Sequence, residues 1–401
     1  MLSFNRSSIS MVKSVAAQNA KRTMYTHPLT SDINITKSGK TNIAIGQGGR
    51  SSRTGYTATV FGSTGFLGRF LVSKLAKHGT ITVCPYRNET AKRQLKVNGD
   101  LGVVNFVEVD IRNLESIENS VAYSDVVYNL IGAEQDTKNF SMADSNIEAT
   151  RRIAKAAKAA GVPRFIQVSS YNANPNSDSI FYATKGIGEQ VAREIYPDAT
   201  IVRPAPMYGR NSSFLNELLP LKVFGGNVIF RKEVYPTHVV QVAEALEKMC
   251  YDDKTAGQTY ELYGTEKYSK AELREMFKYI THIGMTGFFP VAAGYYLPAP
   301  EWAVKAFAFA RQYLSSQARI NVDQVNRSSI NQVIDPSAKT YADLDIVPDE
   351  FADWMYKYVK PHINHSSQAK NRTVYSREDI EKLRDFVNTP KDSLDLLDMK
   401  A

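Results

Sequence analysis

The stretch TATVFGSTGFLGRFLVSKL, residues 57–75, joins a short apolar run to a segment with helical spacing. Thr57–Phe61 is the apolar run, and Phe66, Leu67, Phe70, Leu71 and Leu75 recur at helical intervals between Gly65 and His78. Gly62, Gly65 and Gly68 stand between the two as G-x-x-G-x-x-G. Each glycine has its own reason in such a loop. The first permits a tight turn, the second lets the backbone approach a pyrophosphate, and the third lets the helix pack close to the sheet. Ser63, Thr64, Phe66 and Leu67 fill the loop and first helical turn, where free N–H groups and the positive helix end attract phosphate. The glycines alone would say little; their place between a strand and a helix gives them force.

Outward from this stretch, strands and helices alternate. Apolar runs recur at Thr80–Val83, Asn105–Val109, Val126–Ile131, Arg164–Val168 and Thr200–Val202, with helical patterns between them, clearest at Ile147–Ala160 and Gly186–Tyr196. The pattern predicts an α/β fold: a Rossmann-like, doubly wound parallel sheet with right-handed crossovers. The second strand ends TVCPYRN. Folds of this kind that prefer NAD often place an acid there for the ribose 2′-hydroxyl, but here Arg87 stands near that place. A guanidinium suits the 2′-phosphate of NADP, which a carboxylate would repel; the bland alternative is a solvated surface arginine. Asp110 and Ile111, after the third strand, are expected to face the adenine. Leu130, Ile131 and Gly132, after the fourth, are expected to line the ribose side.

Residues 56–360 resemble the short-chain dehydrogenase/reductase superfamily in its extended or atypical branch. The resemblance rests on the glycine loop, Asp110, VSS at 168–170 and RPAPMYG at 203–209. It implies that Ser169 or Ser170, Lys185 and Pro204 belong to the site. It also implies that a tyrosine four residues before Lys185 acts as the proton donor. In DSIFYATKGIGE, residues 178–189, that place holds Phe181. A phenyl ring neither gives nor takes a proton, and losing a positioned general acid costs ~10²–10⁴-fold in rate. Tyr182 is one step along the helix, rotated by ~100°, and is expected to point away. The pattern predicts a site that binds a dinucleotide and has no catalytic residue for hydride transfer.

The chain has 401 residues, and its net charge of +8 is unevenly placed. Residues 1–26 carry +4 with no acid and residues 27–55 a further +3, which leaves about +1 for the remainder. The high isoelectric point therefore belongs to the N-terminus and gives no support to a nucleic-acid surface. Residues 1–26, rich in Ser and base and free of acid, read as a mitochondrial transit peptide. A basic Gly/Arg-rich arm over 27–55 follows, then a nucleotide-binding domain over 56–204, a smaller lobe over 205–361 and a C-terminal arm over 362–401 that docks on something else. The arm holds one expected helix, Ser376–Asn388. The most apolar region, from Ile283 to Leu297, is broken by Pro290 and three glycines and is unsuited to span a membrane. The aromatics of residues 283–311, among them Phe288, Trp302, Phe307 and Phe309, suit either the lobe's own core or a lipid or subunit contact. Cys84 and Cys250 lack any metal-ligand spacing, and His362 and His365 form only a weak HxxH pattern, so no metal is expected.

A second, narrower resemblance runs over about residues 40–360. NIAIGQGGRSSRTGYTATVFGSTGFLGR, a glycine- and arginine-rich loop leading into the fingerprint, is similar to the short-chain-dehydrogenase-like accessory subunits of mitochondrial respiratory complex I. The resemblance implies a tightly held structural NADPH and other complex I subunits as partners. It also implies a place on the matrix side of the inner membrane, where the peripheral and membrane arms meet near quinone entry. The competing readings are an active mitochondrial NADPH-dependent reductase or epimerase, which Phe181 opposes, and an RNA-binding or chaperone-like atypical member of the superfamily, which the near-neutral body opposes.

Overall fold

The computed structural model describes residues 33–35, 41–44, 52–218, 232–281, 300–314, 321–362 and 375–389. The transit-peptide reading, most of the basic arm, residues 283–299 and His365 lie outside them.

Seven parallel strands form the central sheet: β1 (Thr57–Phe61), β2 (Ile81–Tyr86), β3 (Val104–Glu108), β4 (Val126–Asn129), β5 (Arg164–Val168), β6 (Thr200–Pro204) and β7 (Thr259–Leu262). Their spatial order is β3-β2-β1-β4-β5-β6-β7, so the order reverses between β1 and β4. That is the doubly wound fold expected from the sequence, with a crevice at the reversal point. The reason is visible in the strands. Every residue of β4 and β5 is buried, as a parallel strand covered on both faces requires, whereas the edge strand β3 is largely half-exposed.

Helices cover both faces. On one side α1 (Phe66–Lys77) and α6 (Val239–Tyr251) bury Leu71, Val72, Leu75, Val242, Leu246 and Met249 against β1, β4 and β6. On the other side α2 (Leu114–Val121), α3 (Ala149–Ala159) and α4 (Ile180–Ile195) bury Ile117, Ile153 and Ala192 against Phe165 and Ile201. A π-helical turn, Asp144–Glu148, precedes α3 and overlaps the first residues of the pattern at 147–160. The start of α4 corrects the sequence reading, which began it at Gly186. Gly186 and Gly188 are packing positions inside the helix: a Cβ on them would meet Pro175 N at 2.6 Å and Asn146 O at 2.7 Å.

The smaller lobe contains α5 (Ser213–Leu218), α7 (Lys270–Thr281), α8 (Glu301–Leu314), α9 (Val322–Ser329) and α10 (Phe351–Val359) around a core of Phe214, Leu218, Leu273, Phe277, Phe351 and Met355. The C-terminal helix α11 (Arg377–Asn388) starts on a capping box of Ser376 and Asp379 and buries Ile380 and Leu383 in that core. Its Arg384 reaches Glu272 at 2.8 Å and Glu266 at 3.1 Å. So one face of this helix docks on the chain's own lobe. Helix α8 is divided: Val304 and Ala308 are buried, while Trp302 (74%) and Phe309 (67%) are exposed. Among the described residues no helix is long and apolar enough to cross a membrane.

Candidate functional site

A cavity of about 390 Å³ opens at the reversal point of the sheet and is lined by both lobes. Its floor is the glycine loop. Gly62 has φ +80°, a left-handed conformation that favours glycine, and a Cβ there would crowd Leu130 at 3.1–3.2 Å. Gly65 N–H donates to Gly62 O at 3.0 Å and closes the turn at the head of α1. At Gly68 a Cβ would lie 2.3 Å from Gly62 O and 2.7 Å from Ser63 Cα, so only glycine lets the helix press this close. Ser63 Oγ donates to Pro85 O at 3.4 Å, which ties the loop to β2.

The far wall is set by buried polar residues. Asn129 donates to Gln167 Oε1 at 2.8 Å and Thr150 Oγ1 at 3.1 Å, and accepts from Ile131 N at 3.1 Å. It thereby shapes the 130–132 loop. Asn146, in the π-helical turn, holds the next residue from both sides. It accepts from Ala133 N at 3.0 Å and donates to Ala133 O at 3.2 Å and to Thr184 Oγ1 at 3.0 Å. Lys185 on α4 passes over Gly132, where a Cβ would lie 2.5 Å from its Nζ, and donates to Ile131 O at 3.3 Å. Burial pushes the Lys185 ammonium down to about 8. Ser169 is buried on the same wall, and its Oγ has no hydrogen-bond partner among the described residues. That orphaned hydroxyl and the glycine cradle fit a dinucleotide lying along the loop.

Of the residues expected from sequence, Gly62, Gly65, Phe66, Leu67, Gly68, Leu130, Gly132, Ser169, Lys185 and Pro204 line this cavity together. Ser63, Thr64, Arg87, Asp110, Ile111 and Ile131 are not among the residues that line it. Arg87 is exposed just beyond β2, with no ion pair among the described residues. Asp110 is exposed after β3, and its Oδ1 accepts the N–H of Arg112 at 2.9 Å.

Phe181 lines the cavity with the Arg327 guanidinium 4.7 Å from its ring centroid. Tyr182 corrects the sequence reading. It lines the same cavity, because the smaller lobe closes over the first turn of α4. Its hydroxyl accepts from Lys232 Nζ at 2.7 Å, and burial holds its proton far above the ordinary phenol range. Asp323 of the smaller lobe caps α4, accepting from Ser179 Oγ at 3.0 Å and Ile180 N at 2.7 Å. An acid at a helix N-terminus is favourable to the helix, and here it fixes the element that carries Lys185.

The NAD dependent epimerase/dehydratase family matches residues 58–223. The chain is 46% identical to a mitochondrial NADH-ubiquinone oxidoreductase 40 kDa subunit of Neurospora crassa, over 83% of this chain and 86% of that one. It is 36% identical to the mitochondrial NADH dehydrogenase [ubiquinone] 1 alpha subcomplex subunit 9 of Arabidopsis thaliana, over 78% of this chain and 80% of that one. The subunit of the same name in Mus musculus is 35% identical, over 76% and 80% respectively. This chain belongs to the family of those subunits. The family match begins at Ala58, inside β1, and so takes in the glycine loop, Lys185 and Phe181.

Three site residues escaped the sequence reading. Asn146 and Asp323 are polar residues in helical runs, where nothing local distinguishes a clamp from a solvated side chain. Lys232 sits beside a Glu at 233 and reads as a surface charge, yet it is 2% exposed.

Proposed function

We propose that the chain is a non-catalytic accessory subunit of mitochondrial NADH-ubiquinone oxidoreductase, complex I, and holds NADPH as a fixed part of its structure. The carrying observation is Phe181: an otherwise furnished dinucleotide cavity presents an aromatic ring, covered by Arg327, where a proton donor would stand. The N–H groups of Phe66 and Leu67 at the α1 N-terminus take the pyrophosphate. Arg87 takes the 2′-phosphate, Lys185 and Ser169 the ribose and nicotinamide side, and Asp110 and Ile111 the adenine. When bound, the nucleotide supplies a hydride; the protein supplies no acid at Phe181 to complete a reduction. Tyr182 is a poor substitute, because its hydroxyl is held by Lys232 and keeps its proton. In this reading the chain lies on the matrix side of the inner membrane, at the junction of the peripheral and membrane arms, and stabilises or helps assemble that junction.

The test is native electrophoresis of mildly solubilised inner mitochondrial membranes, probed for this chain, with nucleotide extraction from the excised band. Migration in a megadalton band with NADH dehydrogenase activity and stoichiometric NADPH is expected. Migration as a monomer or small oligomer refutes the subunit reading. Turnover of carbonyl or sugar-nucleotide substrates by the purified chain refutes the non-catalytic one and favours a reductase or epimerase.

A further inference from the structure

Besides Phe181, the cavity is lined by Lys232, Lys270 and Arg327 of the smaller lobe. The Lys232 Nζ donates to the Tyr182 hydroxyl at 2.7 Å, the Tyr171 hydroxyl at 3.0 Å and Arg327 O at 3.4 Å, and lies 4.6 Å from the Tyr171 ring centroid. No carboxylate pairs with it among the described residues. The nearby acids are taken: Glu217 pairs with Lys270 at 3.0 Å, and Asp323 with Arg327 at 3.3 Å. Lys232 is therefore a buried amine at a cavity wall, with two cations, Lys270 and Arg327, for neighbours and two phenols as contacts.

Desolvation, then the fields of Lys270 and Arg327, hold its ammonium well below the usual lysine range, against a weaker opposing pull from Glu217. Burial and neighbouring cations that disfavour the ammonium form are the arrangement that makes a lysine more nucleophilic.

We infer that Lys232 is a carbonyl-capturing residue, which condenses reversibly with a small aldehyde or ketone that enters the cavity. The nitrogen lone pair attacks the carbonyl carbon, and the π pair moves to oxygen, which takes a proton from that nitrogen to give a neutral carbinolamine. Loss of the hydroxyl as water, with the second nitrogen proton, forms the C=N bond. The sum is amine plus carbonyl to imine plus water, with no change of oxidation state. This capture is independent of hydride transfer and does not rest on the bound nucleotide.

The test is reductive trapping on the full-length chain as purified. The protein is treated at pH 7 with propanal and cyanoborohydride, sampled over time and mapped by peptide mass spectrometry. Lys232 is expected to gain the propyl group about tenfold or more faster than the exposed Lys155 and Lys254. Its rate should also level off at a lower pH than theirs. Lys232→Arg, checked for an unchanged fold by circular dichroism, should abolish that label alone. Labelling of Lys232 no faster than Lys155 and Lys254 overturns the inference, and because it is read on the wild-type chain the result does not depend on how any variant folds.

Discussion

Gly68→Ala tests the cradle most directly. The added Cβ would lie 2.3 Å from Gly62 O, 2.7 Å from Ser63 Cα and 2.8 Å from Ser63 C. All three are backbone atoms, so no side chain can swing aside. Ordinary contact distances are ~3.5–4.0 Å, so α1 and the loop must separate by roughly 1 Å. Overpacking of this kind costs ~1–3 kcal/mol of stability. The separation also withdraws loop N–H groups from the pyrophosphate, and each charge-assisted bond lost is worth ~1.5–3 kcal/mol. At ~1.4 kcal/mol per tenfold, loss of one such bond weakens NADPH binding roughly 10- to 150-fold. The measurements are urea unfolding for stability and titration calorimetry of NADPH on the nucleotide-stripped chain. Gly102→Ala is the control. Gly102 has φ +80° but nothing within 4 Å of a built Cβ, so it carries backbone strain of ~1–2 kcal/mol without touching the loop. If Gly68→Ala loses stability to the same degree as Gly102→Ala and still binds NADPH with wild-type affinity, the loop is not the phosphate cradle.

Arg87→Glu is expected to weaken NADPH binding by ~10-fold or more and to leave NADH almost unaffected, because it removes one charge-assisted contact specific to the 2′-phosphate; calorimetry with both nucleotides checks this. Lys185 is held at about 8 when folded, below its ordinary 10.5, so between those values the unfolded chain binds more protons and stability rises with pH. Lys185→Met should therefore stabilise the nucleotide-free chain at pH 7, by on the order of 3 kcal/mol before its lost hydrogen bond is deducted, and the advantage should shrink as pH climbs toward 10; urea unfolding at several pH values decides it. Burial pushes both Cys84 and Cys250 up to about 12, so neither should react with iodoacetamide at pH 8 until urea unfolds the chain; intact mass before and after unfolding reads this out.

What was legible in the sequence was what short-range chemistry dictates. Gly62 must adopt φ +80°, and at Gly68 a Cβ would stand 2.3 Å from the Gly62 carbonyl oxygen, so both places call for glycine. Buried strands such as β4 and β5 are short and mostly apolar, so their runs stood out even with Asn129, Arg164 and Gln167 among them. What was not legible depends on contacts distant in sequence. The helical pattern starts at Gly186 in the sequence, yet the helix itself starts at Ile180, and Gly186 and Gly188 are the places where α4 touches Pro175 and Asn146. Tyr182 was placed by helical rotation alone, which says where a side chain points but not that a second lobe closes over it. The helix Arg377–Asn388 was found nearly to the residue, but its partner was not, because Ile380 and Leu383 are too few to imply a core until α7 and α10 supply the rest.

The aromatic at 181 bears on why such a site persists. Phe181 keeps the ring that Arg327 covers at 4.7 Å and drops only the hydroxyl. Packing and the cation–π contact, worth ~0.5–2 kcal/mol, survive that exchange, while proton transfer does not. The residues that would hold a nucleotide remain on rigid elements: the glycine loop at the head of α1, and Lys185 on α4. The latter helix is capped by Asp323 from the smaller lobe. A ligand that binds only the folded state at 100 times its Kd adds ~2.7 kcal/mol of stability. Here that gain would be shared by both lobes, since displacing the smaller one uncaps α4 and strips Arg327 from Phe181. On the proposed reading, a nucleotide held in this cavity would act as a clasp between the lobes, a role that needs no phenol. Asp323→Ala should separate the two effects. It should lower the melting temperature of the nucleotide-free chain modestly, as loss of a helix cap does at ~1 kcal/mol, and should also reduce the stabilisation that NADPH gives. An undiminished NADPH-dependent shift in that variant would show that the nucleotide acts on the larger lobe alone.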